Sequence, residues 1–165
     1  MESDIQLLAE FVECFTKFDD GKVFSRPTNP SLLQPILSQL PAPFPPLFEH
    51  LLTNYRWSNI YIDRLKLLSN PPGLGFDGFA AEMFGDAELM NVLLPGGYIP
   101  FARPVDGRTY DPICFDTNRM QPDGDCPIVR LDHEDILVLG RLTVMEQLAT
   151  SFSNLVLIAI SAVET

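Results

Sequence analysis

Tyr98-Ile99-Pro100-Phe101-Ala102-Arg103, Tyr110-Asp111-Pro112-Ile113-Cys114-Phe115-Asp116 and Cys126-Pro127-Ile128-Val129-Arg130-Leu131-Asp132 decide the fold. Each contains one strongly apolar alternate set: Ile99/Phe101, Ile113/Phe115 and Val129/Leu131. Successive side chains of a strand point to opposite faces, so this period of two marks strands. Turn chemistry separates the three. Asp106-Gly107 lies in the first gap, and the second runs from Asn118 to Asp125 with Pro122-Asp123-Gly124 inside it. The pattern predicts an antiparallel meander with one well-buried face.

Working outward, the flanks turn helical. Ser3 and Gln6 form a capping box. Behind it Ile5, Leu8, Val12 and Phe15 step at helical spacing, with a stop at Asp19-Asp20-Gly21. Seven of the fifteen prolines fall between Pro27 and Pro46 and exclude long helices there. A short helix is expected over residues 31–39, with Pro35 as its awkward point, and another from Pro45-Pro46. Trp57-Ser58-Asn59-Ile60-Tyr61-Ile62 reads as a strand. Two short helices over 76–84 and 87–94 precede Pro95-Gly96-Gly97. After Glu134-Asp135 the tail reads as helical, with Thr150 or Ser151 as the last N-cap. The class is α+β: one domain over 27–165, with residues 1–26 as a helical appendage.

Charge is the loudest compositional signal. The chain of 165 residues carries 22 acids against 11 bases, a formal net charge of −11. Between Pro104 and Asp135 stand eight acids: Asp106, Asp111, Asp116, Asp123, Asp125, Asp132, Glu134 and Asp135. Such a field repels phosphate backbones, which argues against nucleic acid. It attracts a basic partner, although solubility accounts for acidity equally well. No apolar run approaches the ~20 residues of a membrane span, and no signal peptide is read, so a cytoplasmic protein is expected. Cys14, Cys114 and Cys126 suggest no disulfide framework.

Catalytic constellations are hard to find. His50 lies in a helical segment, and His133 sits in Leu131-Asp132-His133-Glu134-Asp135, where acids favour its protonated form. No nucleophile elbow, zinc-protease helix or P-loop occurs. Asp123-Gly124-Asp125 with Asp116 or Asp132 invites a divalent cation. Counted as an EF-hand loop from Asp123, however, Pro127 and Ile128 fall where an oxygen ligand and a glycine are needed. The expectation is a chain without catalytic residues, metal or cofactor. Amphipathic Trp57 and Tyr98 are candidate anchors for a partner, with core or rim packing as the commoner use.

From Ile36 onward the order of features resembles the SUKH superfamily, which includes fungal cell-wall-synthesis regulators and many small bacterial proteins. The resemblance rests on three pieces. The first is Leu40-Pro41 followed by Phe44 and a helix with Phe48, Leu51 and Leu52. The second is Gly96-Gly97-Tyr98-Ile99-Pro100-Phe101-Ala102, answered by Asp106-Gly107 and the segment from Tyr110 to Asp116. The third runs from Cys126 to Glu134, ahead of a closing helix with Ser151-Phe152 and Leu155. The resemblance spans roughly residues 31–160. It implies a curved mixed, largely antiparallel sheet flanked by short helices. It also implies a non-catalytic role, often as an immunity protein that binds and blocks a toxin. The expected mechanism is occlusion of a basic, nuclease-like toxin domain. The partner-binding candidates are Asp123, Asp125, Asp132, Glu134, Asp135, Trp57 and Tyr98. A regulatory scaffold is the alternative, and an enzyme or small-ligand binder the third reading.

Overall fold

The computed structural model describes residues 2–18, 23–106 and 110–164. The expected helix stop at Asp19-Asp20-Gly21 lies outside them. The elements, in chain order, are α1 (Glu2–Phe18), β1 (Val23–Ser25), a 3-10 turn (Pro30–Leu33), α2 (Gln34–Leu37), α3 (Pro46–Asn54), β2 (Tyr55–Trp57), β3 (Tyr61–Ile62) and β4 (Leu65–Leu67). There follow α4 (Asp77–Met83), α5 (Ala87–Leu93), β5 (Tyr98–Pro104), β6 (Ile113–Asp116), a 3-10 turn (Thr117–Arg119), β7 (Ile128–Leu131), α6 (His133–Leu139), β8 (Val144–Ala149) and α7 (Phe152–Glu164). The class is α+β, as the pattern predicts. Strands β3 to β8 form one sheet in sequential order, and β1 and β2 form a separate ribbon. Every described pairing is antiparallel, so the parallel component of a mixed sheet is absent among the described residues.

Register corrects the expectation of one buried face. Phe115 pairs with Ile128 and Ile113 with Arg130, whereas Cys114 pairs with Val129. Val129 and Leu131 therefore face away from the Ile113/Phe115 side. All four residues of β6 and all four of β7 are buried, so these central strands are covered on both faces. On one face Phe101 stacks on Phe115 at 3.9 Å, and Phe48 of α3 and Phe152 of α7 meet Phe115 edge-on. Edge-to-face pairs of this kind contribute about 0.5–1.5 kcal/mol each beyond area burial.

The sheet curls strongly. Arg64, in the β3–β4 turn, donates to Glu146 of β8 at 3.1 Å. In a flat sheet β4 and β8, four spacings apart, would be about 19 Å from each other. Helix α7 contacts both β3 and β8 inside the curl. Leu8, Phe11 and Val12 of α1 belong to the same buried cluster, and α1 contacts α7, α3 and β1. The segment expected as an appendage thus builds its apolar stripe into the core.

Several local readings change. The expected helix over 31–39 is a 3-10 turn followed by α2, with Pro35 in the first turn of α2, where a missing N–H costs nothing. The expected 57–62 strand is split, because Trp57 exchanges backbone hydrogen bonds with Asn70 and the chain then turns before β3. The tail is not wholly helical. Val144–Ala149 forms an edge strand whose side chains are mostly exposed, so it shows no apolar alternation. Ser151 does cap α7, its hydroxyl accepting from the Asn154 N–H at 2.9 Å.

Candidate partner-binding surface

The acidic run from 104 to 135 is largely engaged in holding the fold. Asp125 is buried at the N-terminus of α7. Its Oδ1 accepts from the N–H groups of Cys126 (2.9 Å) and Phe152 (2.7 Å). Its Oδ2 accepts from the N–H and hydroxyl of Ser153 (3.1 and 2.9 Å). A carboxylate so placed satisfies orphan donors and meets the positive end of the helix. Asp123 is exposed, and its Oδ1 accepts from the Asp125 N–H in an Asx turn. Asp132 is the N-cap of α6, accepting from Glu134 and Asp135. Asp135 accepts from the Thr143 hydroxyl at 2.7 Å and lies 3.5 Å from Arg141. Glu134 is exposed.

The candidates therefore do not form one patch. Asp123 and Asp125 sit where the chain enters β7; Asp132, Glu134 and Asp135 sit where it leaves. Trp57 is withdrawn as an anchor: it is 0% exposed, and its indole N–H donates to the Leu68 carbonyl at 2.9 Å. A ring this large closes the core between β2 and the chain at 68–70. Asp125 is withdrawn too, since four donors occupy it. Tyr98 is half-buried opposite Asp116, and burial together with that carboxylate raises its phenol pKa.

What gathers instead is the end of the sheet beyond β7. Arg130, buried, joins Asp106, just past the end of β5, to Asp111. Its guanidinium donates to Asp106 at 2.6 and 3.2 Å and to Asp111 at 3.0 Å, and its pKa rises through these bonds. Asp111 also accepts from the His133 N–H at 3.1 Å. This places Tyr110, 73% exposed, with its ring 5.6 Å from the His133 imidazole. Further along the chain Glu134, Leu137, Val138 and Leu139 of α6 are exposed, as are Val144 and Met145 of β8. Gly140, at φ +60, ends α6 in the left-handed conformation that glycine adopts without strain.

Tyr110 and this apolar set are absent from the sequence-derived candidates. One signal was present. Ile136-Leu137-Val138-Leu139 is a run of four apolar residues on a short helix, and a helix can turn only part of such a run inward. Only Ile136 is buried. Tyr110 carries no such signal; its exposure follows from the Arg130 grip.

Other chemistry-bearing side chains are quieter. Burial pushes up the Cys114 thiol strongly and raises that of Cys126 to about 12, which keeps both protonated and weakly nucleophilic. His50 lies 3.3 Å from the Asn54 amide and lines a cavity of about 280 Å³ with Asp4 and Ile5. Among the described residues no group of three or more His, Cys, Asp or Glu is arranged to hold a metal ion. No family model matches the chain, and no curated protein matches it.

Proposed function

We propose that this chain is a protein-binding module that works by occlusion, as an immunity protein of the SUKH type would, against a basic toxin domain. One observation carries the reading: an exposed aromatic, Tyr110, lies 5.6 Å from the His133 ring at the start of α6, next to Asp111, which Arg130 holds, and α6 goes on to expose Glu134 and three apolar side chains. Aromatic anchors surrounded by apolar contacts and a charged rim are the usual energetic centre of protein interfaces. The net charge of −11 would speed the approach of a cationic partner, and the apolar set would slow its departure.

The test is to capture the partner, identify it, and measure binding with purified components. Tyr110→Ala and Val138→Asp are expected to weaken binding by at least about 30-fold each, the scale of a 2 kcal/mol hot spot. Glu134→Lys should lower the association rate, with the effect shrinking as salt rises. Full affinity in both Tyr110→Ala and Val138→Asp would refute this surface. A partner that is not blocked when bound would refute occlusion.

A further inference from the structure

A second surface uses different residues and stands apart from the partner-binding reading. Strands β3, β4 and β5 bring Tyr61, Lys66 and Arg103 into one row: Tyr61 pairs with Lys66, and Lys66 pairs with Arg103. Partners in antiparallel register share a face, so the two cationic side chains stand opposite each other on neighbouring strands. Like charges in that position destabilise a sheet. Their neighbours Ile62, Leu65, Leu67 and Ala102 are buried on the other side, so the row faces outward. With Pro104 and Val105 it lines a cavity of about 480 Å³.

In a chain with twice as many acids as bases, neither cation makes an ion pair among the described residues. The ion pairs of the described residues are made by Arg64, Arg119, Arg130 and Arg141. Arg103 donates only to the carbonyl of its neighbour Ala102, at 3.4 Å, and Lys66 lies over the Tyr61 ring at 5.9 Å. Burial lowers the Arg103 pKa, while Cys114, Glu82 and Asp86 act in the opposite sense. Glu82 and Asp86 accept from the backbone N–H groups of Ser69 and Leu89 and act on Arg103 through their field rather than by a direct ion pair. A half-buried guanidinium with no carboxylate at ion-pair distance among the described residues, opposite a lysine that lies over an aromatic ring, has the donors that an oxyanion requires. The volume suits a small molecule, and Tyr61, Pro104 and Val105 supply an apolar wall.

We propose that this cavity binds a small organic oxyanion. Lys66 and Arg103 hold its phosphate or carboxylate group, and its apolar body lies against Tyr61 and Val105. The test is calorimetric titration of the full chain with phenyl phosphate, benzoate and benzyl alcohol, with backbone amide shifts locating the site. At least one anion is expected to bind with a Kd of about 1 mM or tighter, shifting amides around 61–66 and 103–105. Stronger binding of phenyl phosphate assigns a phosphate ligand, and stronger binding of benzoate a carboxylate. Lys66→Gln and Arg103→Gln should each weaken binding about tenfold, the scale of one charge-assisted hydrogen bond. Lys66→Gln should also leave the melting temperature of the free protein unchanged or raised, since it relieves repulsion; a structural lysine would lower it. If Arg103→Gln fails to fold, Lys66→Gln alone decides. Absence of shifts there with both anions, equal binding of benzyl alcohol, or undiminished affinity in Lys66→Gln would overturn the proposal.

Discussion

Arg56 and Arg130 are both buried, and each ties down a loop that presents an exposed side chain, yet they do so by different physics. Arg130 works through charge, with carboxylates on both sides of it. Arg56, 0% exposed, has no carboxylate among its hydrogen-bond partners in the described residues. It donates to the carbonyls of Pro71 (3.0 Å) and Gly75 (2.7 Å), to the Thr28 hydroxyl (2.8 Å) and to the Asn70 side chain (3.4 Å), and its plane lies 4.8 Å from the Phe76 ring. Its Nε has no hydrogen-bond partner among the described residues. Burial accordingly lowers the Arg56 pKa, whereas the acids raise that of Arg130. Between Pro71 and Gly75 stands Leu74, 94% exposed, as Tyr110 stands beside Asp111. A guanidinium can therefore fix a loop with neutral dipoles alone when its fork meets several oxygens, but what remains after its removal differs.

The largest effect should come from Arg130→Met. It strands Asp111, whose side chain is 8% exposed, as a buried unpaired charge, at an expected cost of about 3–5 kcal/mol in denaturant unfolding. Adding Asp111→Asn should recover part of that loss, and a double-mutant cycle measures the coupling. Arg56→Met comes next. It leaves only neutral oxygens unpaired, so about 1–3 kcal/mol is expected. A larger loss from Arg56→Met than from Arg130→Met would break the distinction. The smallest effects belong to the presented residues. Leu74→Asp and Tyr110→Ala should each change stability by no more than about 0.5 kcal/mol, as surface substitutions do. A drop beyond that for either would mean that its loop tip packs rather than presents.

Much of the fold was legible. Period-two alternation located β5, β6 and β7, and helical spacing located α1 and α7, because large apolar side chains recur at the period of the element even where, as in β6 and β7, both faces are covered. Strand β8 was not legible, since its mostly exposed side chains leave no alternation to read. The split between β2 and β3 was hidden for a related reason: Ile60 and Ile62 are buried like strand residues, but the turn between the strands depends on the distant Asn70. Of the proposed surface, the sequence yielded Glu134 alone. Whether a carboxylate faces a partner, a helix N-terminus or an arginine depends on which segments meet. Asp125 and the start of α7 are far apart in sequence and joined by hydrogen bonds in space.

The amino-acid sequence by itself determined the α+β class, the acidity and the apolar repeats that build the elements. All three are properties of composition or of near neighbours along the chain. Tertiary structure alone decided that β6 and β7 are buried on both faces, that Asp125 serves the distant α7, and that Tyr110 is presented. It also set Lys66 opposite Arg103, with no ion pair to either among the described residues. These depend on strand register and sheet curl, which arise from packing between distant segments and leave no local trace in the order of residues.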